Sequence, residues 1–193
     1  DTVMLEELLA LEGVAAVTTS LEEVAFFEYK DNQDFGTLKG VAPNYEKVVG
    51  IDTTVREGVY RLKDGEKDFA ILGLGMRDKL NVNVGDPFTE LGVYMPRRSQ
   101  SRGMFSRQLQ PFRRRYIYPG GTFVIQHEFN NEYVLAPISF ARGLLEADAD
   151  EVSAIEIRLQ EGVDSRDAVA QIGTLLGEDY EVKDRFEQEA AFL

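Results

Sequence analysis

Cysteine is absent from the 193 residues, which excludes disulfides, thiolate metal sites and cysteine nucleophiles. Histidine occurs once, at His127, so no site built on several histidines can form. Long hydrophobic runs are missing too. The longest stretch without Asp, Glu, Lys or Arg is the twelve residues from Tyr116 to His127, short of the ~20 that a spanning helix needs. Positive charge is scarce. The 21 Lys and Arg against 34 Asp and Glu leave a net −13, whereas a general nucleic-acid binder needs a basic surface. The chain begins at Asp1 rather than Met and shows no signal peptide, so a piece of a longer protein is expected.

What is present describes a folded chain: 44% hydrophobic and 28% charged residues, near the average for globular domains. The helical spacing of Leu5, Leu8 and Leu9, stopped by Gly13, predicts an opening helix. Apolar and β-branched stretches over 14–18, 23–29 and 35–41 predict three strands, the last two joined at Asp31, Asn32 and Gly36. Residues 43–67 read as irregular. Short elements follow: a strand over 68–72, a helix over 76–80, and a strand over 87–95. Two strands over 116–128 and 132–135 are expected to turn at Asn130-Asn131, before a helix over 137–147. The end reads as a strand over 151–159, a helix from Asp164 to Leu176 stopped by Gly177, and a strand over 180–182. Asp184 then starts a helix that is expected to continue past Leu193. Both ends are thus α/β layers around a β-rich insert, an α+β fold.

The conventional catalytic signatures are weak. Phe69 to Leu80 imitates a dinucleotide fingerprint, but Asp78 replaces the third glycine and would repel a pyrophosphate. A tight strand-to-helix turn is the better reading. The acidic runs, including Glu146, Asp148, Asp150 and Glu151, show no cleft that would set two carboxylates to different pKa values, and read as solvated faces. His127 is expected inside a strand, as a structural histidine. No Gly-x-Ser-x-Gly elbow accompanies it. Phe123, Phe129, Tyr133 and Phe140 read as core. No catalytic residue, metal or cofactor is expected.

One segment departs from the rest. Residues 97–115 hold Arg97, Arg98, Arg102, Arg107, Arg113, Arg114 and Arg115, half of the fourteen arginines, with no acid and no lysine. Without these seven the remainder carries −20. Met104, Phe105, Leu109, Pro111 and Phe112 are interleaved with them, the composition of a protein contact site. A solvated hairpin fits the same residues. Nucleic acid does not, because the surrounding negative charge repels phosphate.

Three stretches carry a family resemblance: GVAPNYEKVVGID with EGVY (40–52 and 57–60), AILGLGMRDKLNVNVGDPF (70–88), and VSAIEIRL with YEVKDRFEQEAAFL (152–159 and 180–193). They resemble, in order and spacing, the periplasmic core domain of MacB-like ABC transporter permeases, with Phe186 in the place of the pattern's Trp. The lipoprotein-releasing, Lol-type permeases are the subgroup they look most like.

The resemblance implies a split porter-like subdomain, residues 1–46 with 149–193, around an inserted β-rich subdomain over 47–148. That insert would carry a hook-like hairpin at 97–115. It implies a non-catalytic domain on the periplasmic face of the bacterial inner membrane, linked by its terminal helices to membrane spans. The implied partners are an ATP-binding subunit, a second permease copy or paralogue, a lipoprotein substrate and a periplasmic lipoprotein carrier. The carrier would dock on Arg97, Arg98, Arg102, Met104, Phe105, Arg107, Pro111, Phe112, Arg113, Arg114 and Arg115. A MacB-like efflux domain contacting an adaptor protein, and a stand-alone hydrolase with an acidic site, are the rival readings.

Overall fold

The computed structural model describes residues 2–96, 112–184 and 187. The described chain divides into two compact units, one of 1–18 with 156–193 and one of 19–155. The sequence reading placed its boundaries instead at 46/47 and 148/149. The difference arises because residues 32–41 pair in parallel with 133–137, which joins the early strands to the supposed insert.

In the larger unit, β1 (Val14–Tyr29), entering from the other unit at Thr19, pairs antiparallel with β2 (Asn32–Val41). The sequence reading split β1 into two strands; instead it runs unbroken through 16 residues. Lys30, in the left-handed conformation at φ 55°, makes the tight turn to β2. Gly36 lies within β2, where a Cβ would meet the Glu132 carbonyl at 2.7 Å and Met76 at 2.8 Å. The stretch expected to be irregular contains α2 (Tyr45–Val49), a 3-10 turn (Ile51–Thr54), β3 (Val55–Gly58) and β4 (Lys63–Asp64). Then come β5 (Lys67–Gly73), α3 (Leu74–Leu80) and β6 (Leu91–Pro96).

β7 (Phe112–Phe123) does not form a hairpin with the next strand. A short helix, α4 (His127–Glu132), intervenes before β8 (Tyr133–Pro137), which pairs with β2 and β5. His127 is therefore exposed at the first position of a helix, not inside a strand. Within α4 the Asn131 side-chain amide donates to the His127 carbonyl at 2.8 Å, and β8 takes β2 and β5 as its partners instead of β7. α5 (Ile138–Leu145) completes this unit before β9 (Ala154–Leu159) begins.

The strand pairings close a ring, β5-β8-β2-β1-β6-β7 and back to β5. β7 closes it by giving its first half to β6 and its second half to β5. Successive strand residues face opposite ways, and the two faces have different fates. One face packs against α3 and α5 as the main core, with Phe27, Leu38, Leu72, Leu91, Val93, Ile117 and Val134 fully buried around Met76, Phe140 and Leu144. The other holds a smaller cluster of Val41, Tyr45, Ile51, Ile71, Phe123 and Leu135. Phe123 and Phe140 are core, as expected, while Phe129 and Tyr133 lie half-buried against the smaller cluster.

In the smaller unit, α1 (Thr2–Ala10) buries Leu8, and Gln160 N–H donates to the Gly13 carbonyl at 2.8 Å. Gly13, at φ 88°, leaves room for the Val163 side chain. α6 (Ser165–Leu176) is capped by Asp164, whose carboxylate accepts from Arg166 N–H at 2.8 Å, and buries Ala168 and Ile172. The strand expected over 180–182 does not form; these residues are irregular. Asp184 and Glu187 make reciprocal side-chain to backbone bonds of 2.9 Å each, the capping box that starts a helix.

Candidate functional site

The arginine-rich segment lies only partly within the described residues. Arg97, Arg98, Arg102, Met104, Phe105, Arg107 and Pro111 fall outside them. What is described is the root: β6 and β7 pair antiparallel from Leu91↔Ile117 to Pro96↔Phe112. The two strands are thus held side by side where the 97–111 connection leaves and returns.

The three consecutive arginines of β7 do not act together. Strand alternation turns Arg113 and Arg115 to the face of Ile117, and Phe112, Arg114 and Tyr116 to the opposite face. Arg113 donates to the Gly143 carbonyl at 3.0 Å and forms an ion pair with Glu146. That carbonyl is in the last turn of α5, where no further helical N–H is available and a cation is favoured. Glu146 is the α5 C-cap and holds a left-handed backbone, φ 55°. Arg115 sits over the Phe140 ring, 4.5 Å from its centroid, and donates to the Phe140 carbonyl at 3.0 Å. These two arginines fasten the hairpin root to α5.

Arg114 is different. Its guanidinium lies 5.0 Å from the Tyr116 ring centroid and 5.6 Å from that of Tyr94, and it donates to the Tyr94 hydroxyl at 3.4 Å. Tyr94 in turn donates to Glu28 at 3.2 Å, and Gln33 donates to the other Glu28 oxygen at 2.8 Å. The Tyr94 hydroxyl bond, with Tyr116 and Glu28 at longer range, raises the Arg114 pKa further above its already high value. Phe112 beside it is 55% exposed. Of the described members of the expected docking segment, Phe112 and Arg114 are the two that face solvent.

The sequence reading missed the rest of this surface. In register, Phe35 on β2 lies opposite Phe26 on β1, Phe26 opposite Tyr94 on β6, and Tyr94 opposite Arg114 on β7. The rings touch edge to face, Phe26 and Phe35 at 5.0 Å between centroids and Phe26 and Tyr94 at 5.9 Å. Gly92 makes this possible, since a Cβ there would meet Tyr94 at 3.1 Å and Tyr116 at 3.5 Å. The available signal was the Phe26-Phe27 pair, of which only one can face the core.

Other groups singled out by the sequence take structural positions. At the fingerprint-like turn, a Cβ on Gly73 would collide with the Asn130 backbone, so the glycine serves close packing of the end of β5 on α4. Among the described residues no three His, Asp or Glu side chains gather as metal ligands. Lys39, 8% exposed, pairs with Glu22 at 2.8 Å and lies 5.5 Å from the Tyr45 ring centroid. A shallow cavity of about 350 Å³ between Arg61, Lys67, Phe69, Asp86 and Tyr118 is lined by charges already engaged, Arg61 with Asp64 at 3.1 Å and Asp86 with Lys30 at 3.5 Å.

No described helix is long and apolar enough to cross a membrane. No family model matches the chain, and no curated protein matches it. Solved structures do. The extracellular domain of the noncanonic ABC-type transporter YknZ from Gram-positive bacteria superposes with a TM-score of 0.60 at 14% identity, covering 93% of this chain and 83% of that one. The periplasmic region of MacB from Actinobacillus actinomycetemcomitans gives 0.59 at 10% identity, covering 99% and 81%. The chain therefore has the α+β fold of the extracytoplasmic domains of ABC transporter permeases.

Proposed function

We propose that this chain is the extracytoplasmic domain of an ABC transporter permease. In the finer reading it serves a lipoprotein-releasing permease, receiving lipoproteins drawn from the inner membrane and handing them to a periplasmic carrier. The likeness of fold over 93% and 99% of the chain to two such transporter domains supports the broader statement. The finer one draws on the resemblance of the 40–60, 70–88 and 152–193 stretches to Lol-type permeases, and on the arginine-rich segment rooted between β6 and β7. In this reading the domain does no chemistry. It supplies a docking surface, and ATP hydrolysis on a separate subunit supplies the energy. Rigid-body motion carried by helices couples the two.

The likeness to the MacB periplasmic region favours a second reading, an efflux domain that contacts an adaptor protein. One experiment separates them. The full permease and its ATP-binding subunit are reconstituted in liposomes with a fluorescent lipoprotein, and either carrier or adaptor is added outside. ATP-dependent appearance of the lipoprotein on the soluble carrier is the expected result. Adaptor binding without ATP-dependent lipoprotein release would overturn the finer reading in favour of efflux.

A further inference from the structure

We propose that the row Phe35–Phe26–Tyr94–Arg114 is a docking strip for an extended segment of a partner protein, one that carries a carboxylate followed by apolar side chains. The inference goes beyond transport and does not depend on it. Four large apolar side chains, Val24, Phe35, Phe112 and Tyr116, are exposed on this one face, Phe35 and Val24 at 65% and 59%. α3 and α5 pack on the opposite face. An aromatic surface left open in this way marks an interaction site.

Charge selects the occupant. In a molecule of net charge −13, the strip ends on a cation. Arg114 has no ion pair among the described residues; its guanidinium lies 5.6 Å from the Tyr94 ring centroid and 5.0 Å from that of Tyr116 and bonds the Tyr94 hydroxyl, while the nearby Glu28 carboxylate accepts from Tyr94 and Gln33. A carboxylate arriving at Arg114 gains a charge-assisted bond from a preoriented donor. A lysine at the same place meets repulsion.

Geometry sets the spacing. From Phe35 to Arg114 the row crosses three strand-to-strand steps of about 4.8 Å, roughly 14 Å in all. An extended chain rises about 3.4 Å per residue, so four residues cover the same distance. Residues separated by two or four positions face the same side. The segment that fits has its carboxylate over Arg114, an apolar side chain two residues on between Tyr94 and Phe26, and another four residues on over Phe35. Moving the carboxylate by one residue turns it away from the strip.

The test uses the 193-residue chain, isotopically labelled, and blocked seven-residue peptides with serine at the neutral positions. The first has aspartate at its second position and leucine at its fourth and sixth. One control carries lysine for the aspartate; another has the aspartate moved by one residue. The expected result is a set of amide shifts centred on Phe26, Phe35, Tyr94 and Arg114, with affinity at least about tenfold weaker for both controls. R114Q should remove the preference for aspartate over lysine, and F35S should weaken every peptide while leaving the rest of the spectrum in place. Equal binding of the lysine peptide, or shifts centred elsewhere, overturns the proposal. So does broadening of the strip resonances with protein concentration alone, which would assign this face to a second copy of the chain.

Discussion

Arg113, Arg114 and Arg115 are adjacent in sequence, yet strand alternation gives them separate work. Arg115 holds a ring and a carbonyl of α5, so R115A should lower unfolding stability by about 1–2 kcal/mol, the usual scale for a cation–π contact with a charge-assisted hydrogen bond. R114A removes contacts on an open face and should change stability by less than about 0.5 kcal/mol. Urea denaturation of the two variants checks this, and equal losses would mean that the two faces are assigned wrongly. Tyr133 offers a second residue-scale test. Burial, with Glu22 beside it, pushes its hydroxyl up to about 12. An acid raised in the folded state favours the protonated native form. Its contribution is therefore complete below the unfolded pKa of about 10 and is lost as pH rises from there through about 12. Y133F should lose less stability than the parent between about pH 9 and pH 11.5. Tyr60, also raised by burial, leaves part of the alkaline loss in place.

Among the elements, the contact of α5 with β2 has little room for added volume. A Cβ on Gly40 would lie 2.5 Å from the Ala141 Cβ and 3.1 Å from the Ile138 Cα, and neither neighbour is the flexible end of a side chain. G40A should therefore push α5 away from the sheet at about 1–3 kcal/mol, the range for overpacking. Because α5 also receives Arg113 and Arg115, the same change should disturb amide resonances at the β6–β7 root. A thermal melt with a nitrogen–proton spectrum reads both effects. A stable variant with an undisturbed root would show that α5 does not hold it. At the start of α6, D164A removes the bond to Arg166 N–H and should cost about 1 kcal/mol.

At the scale of the molecule, the two compact units differ in how much apolar surface they bury. Among the described residues, the smaller unit buries the apolar Leu8, Val14, Val17, Ala168 and Ile172, whereas the larger has two clusters built on a closed ring of strands. Opening free energy follows buried apolar contact. Hydrogen exchange should therefore be faster in α1 and α6 than in β1 beyond Thr19, β2, β5 and β8. Uniform protection across both units would contradict this.

Local chemistry alone determined much of this protein. The Leu5–Leu8–Leu9 spacing made α1, Asp164 and Gly177 bounded α6, and the glycines of 73–75 made a strand-to-helix turn. Each of these depends on residues a few positions apart. The absence of cysteine and the net charge of −13 acted in the same way on chemistry, by exclusion. Pairing decided the remainder. Nothing near Val41 says that β2 will lie parallel to β8, and nothing near Tyr118 says that β7 will change partners halfway and close the ring. The expected 116–135 hairpin failed because β8 finds its partners, β2 and β5, far back in the chain. The surface followed the same division. Composition picked out the arginines, but a strand residue's face depends on register, and register is set between segments distant in sequence. Only the folded ring could put Phe35, Phe26, Tyr94 and Arg114 in one row and turn Arg113 and Arg115 away from it.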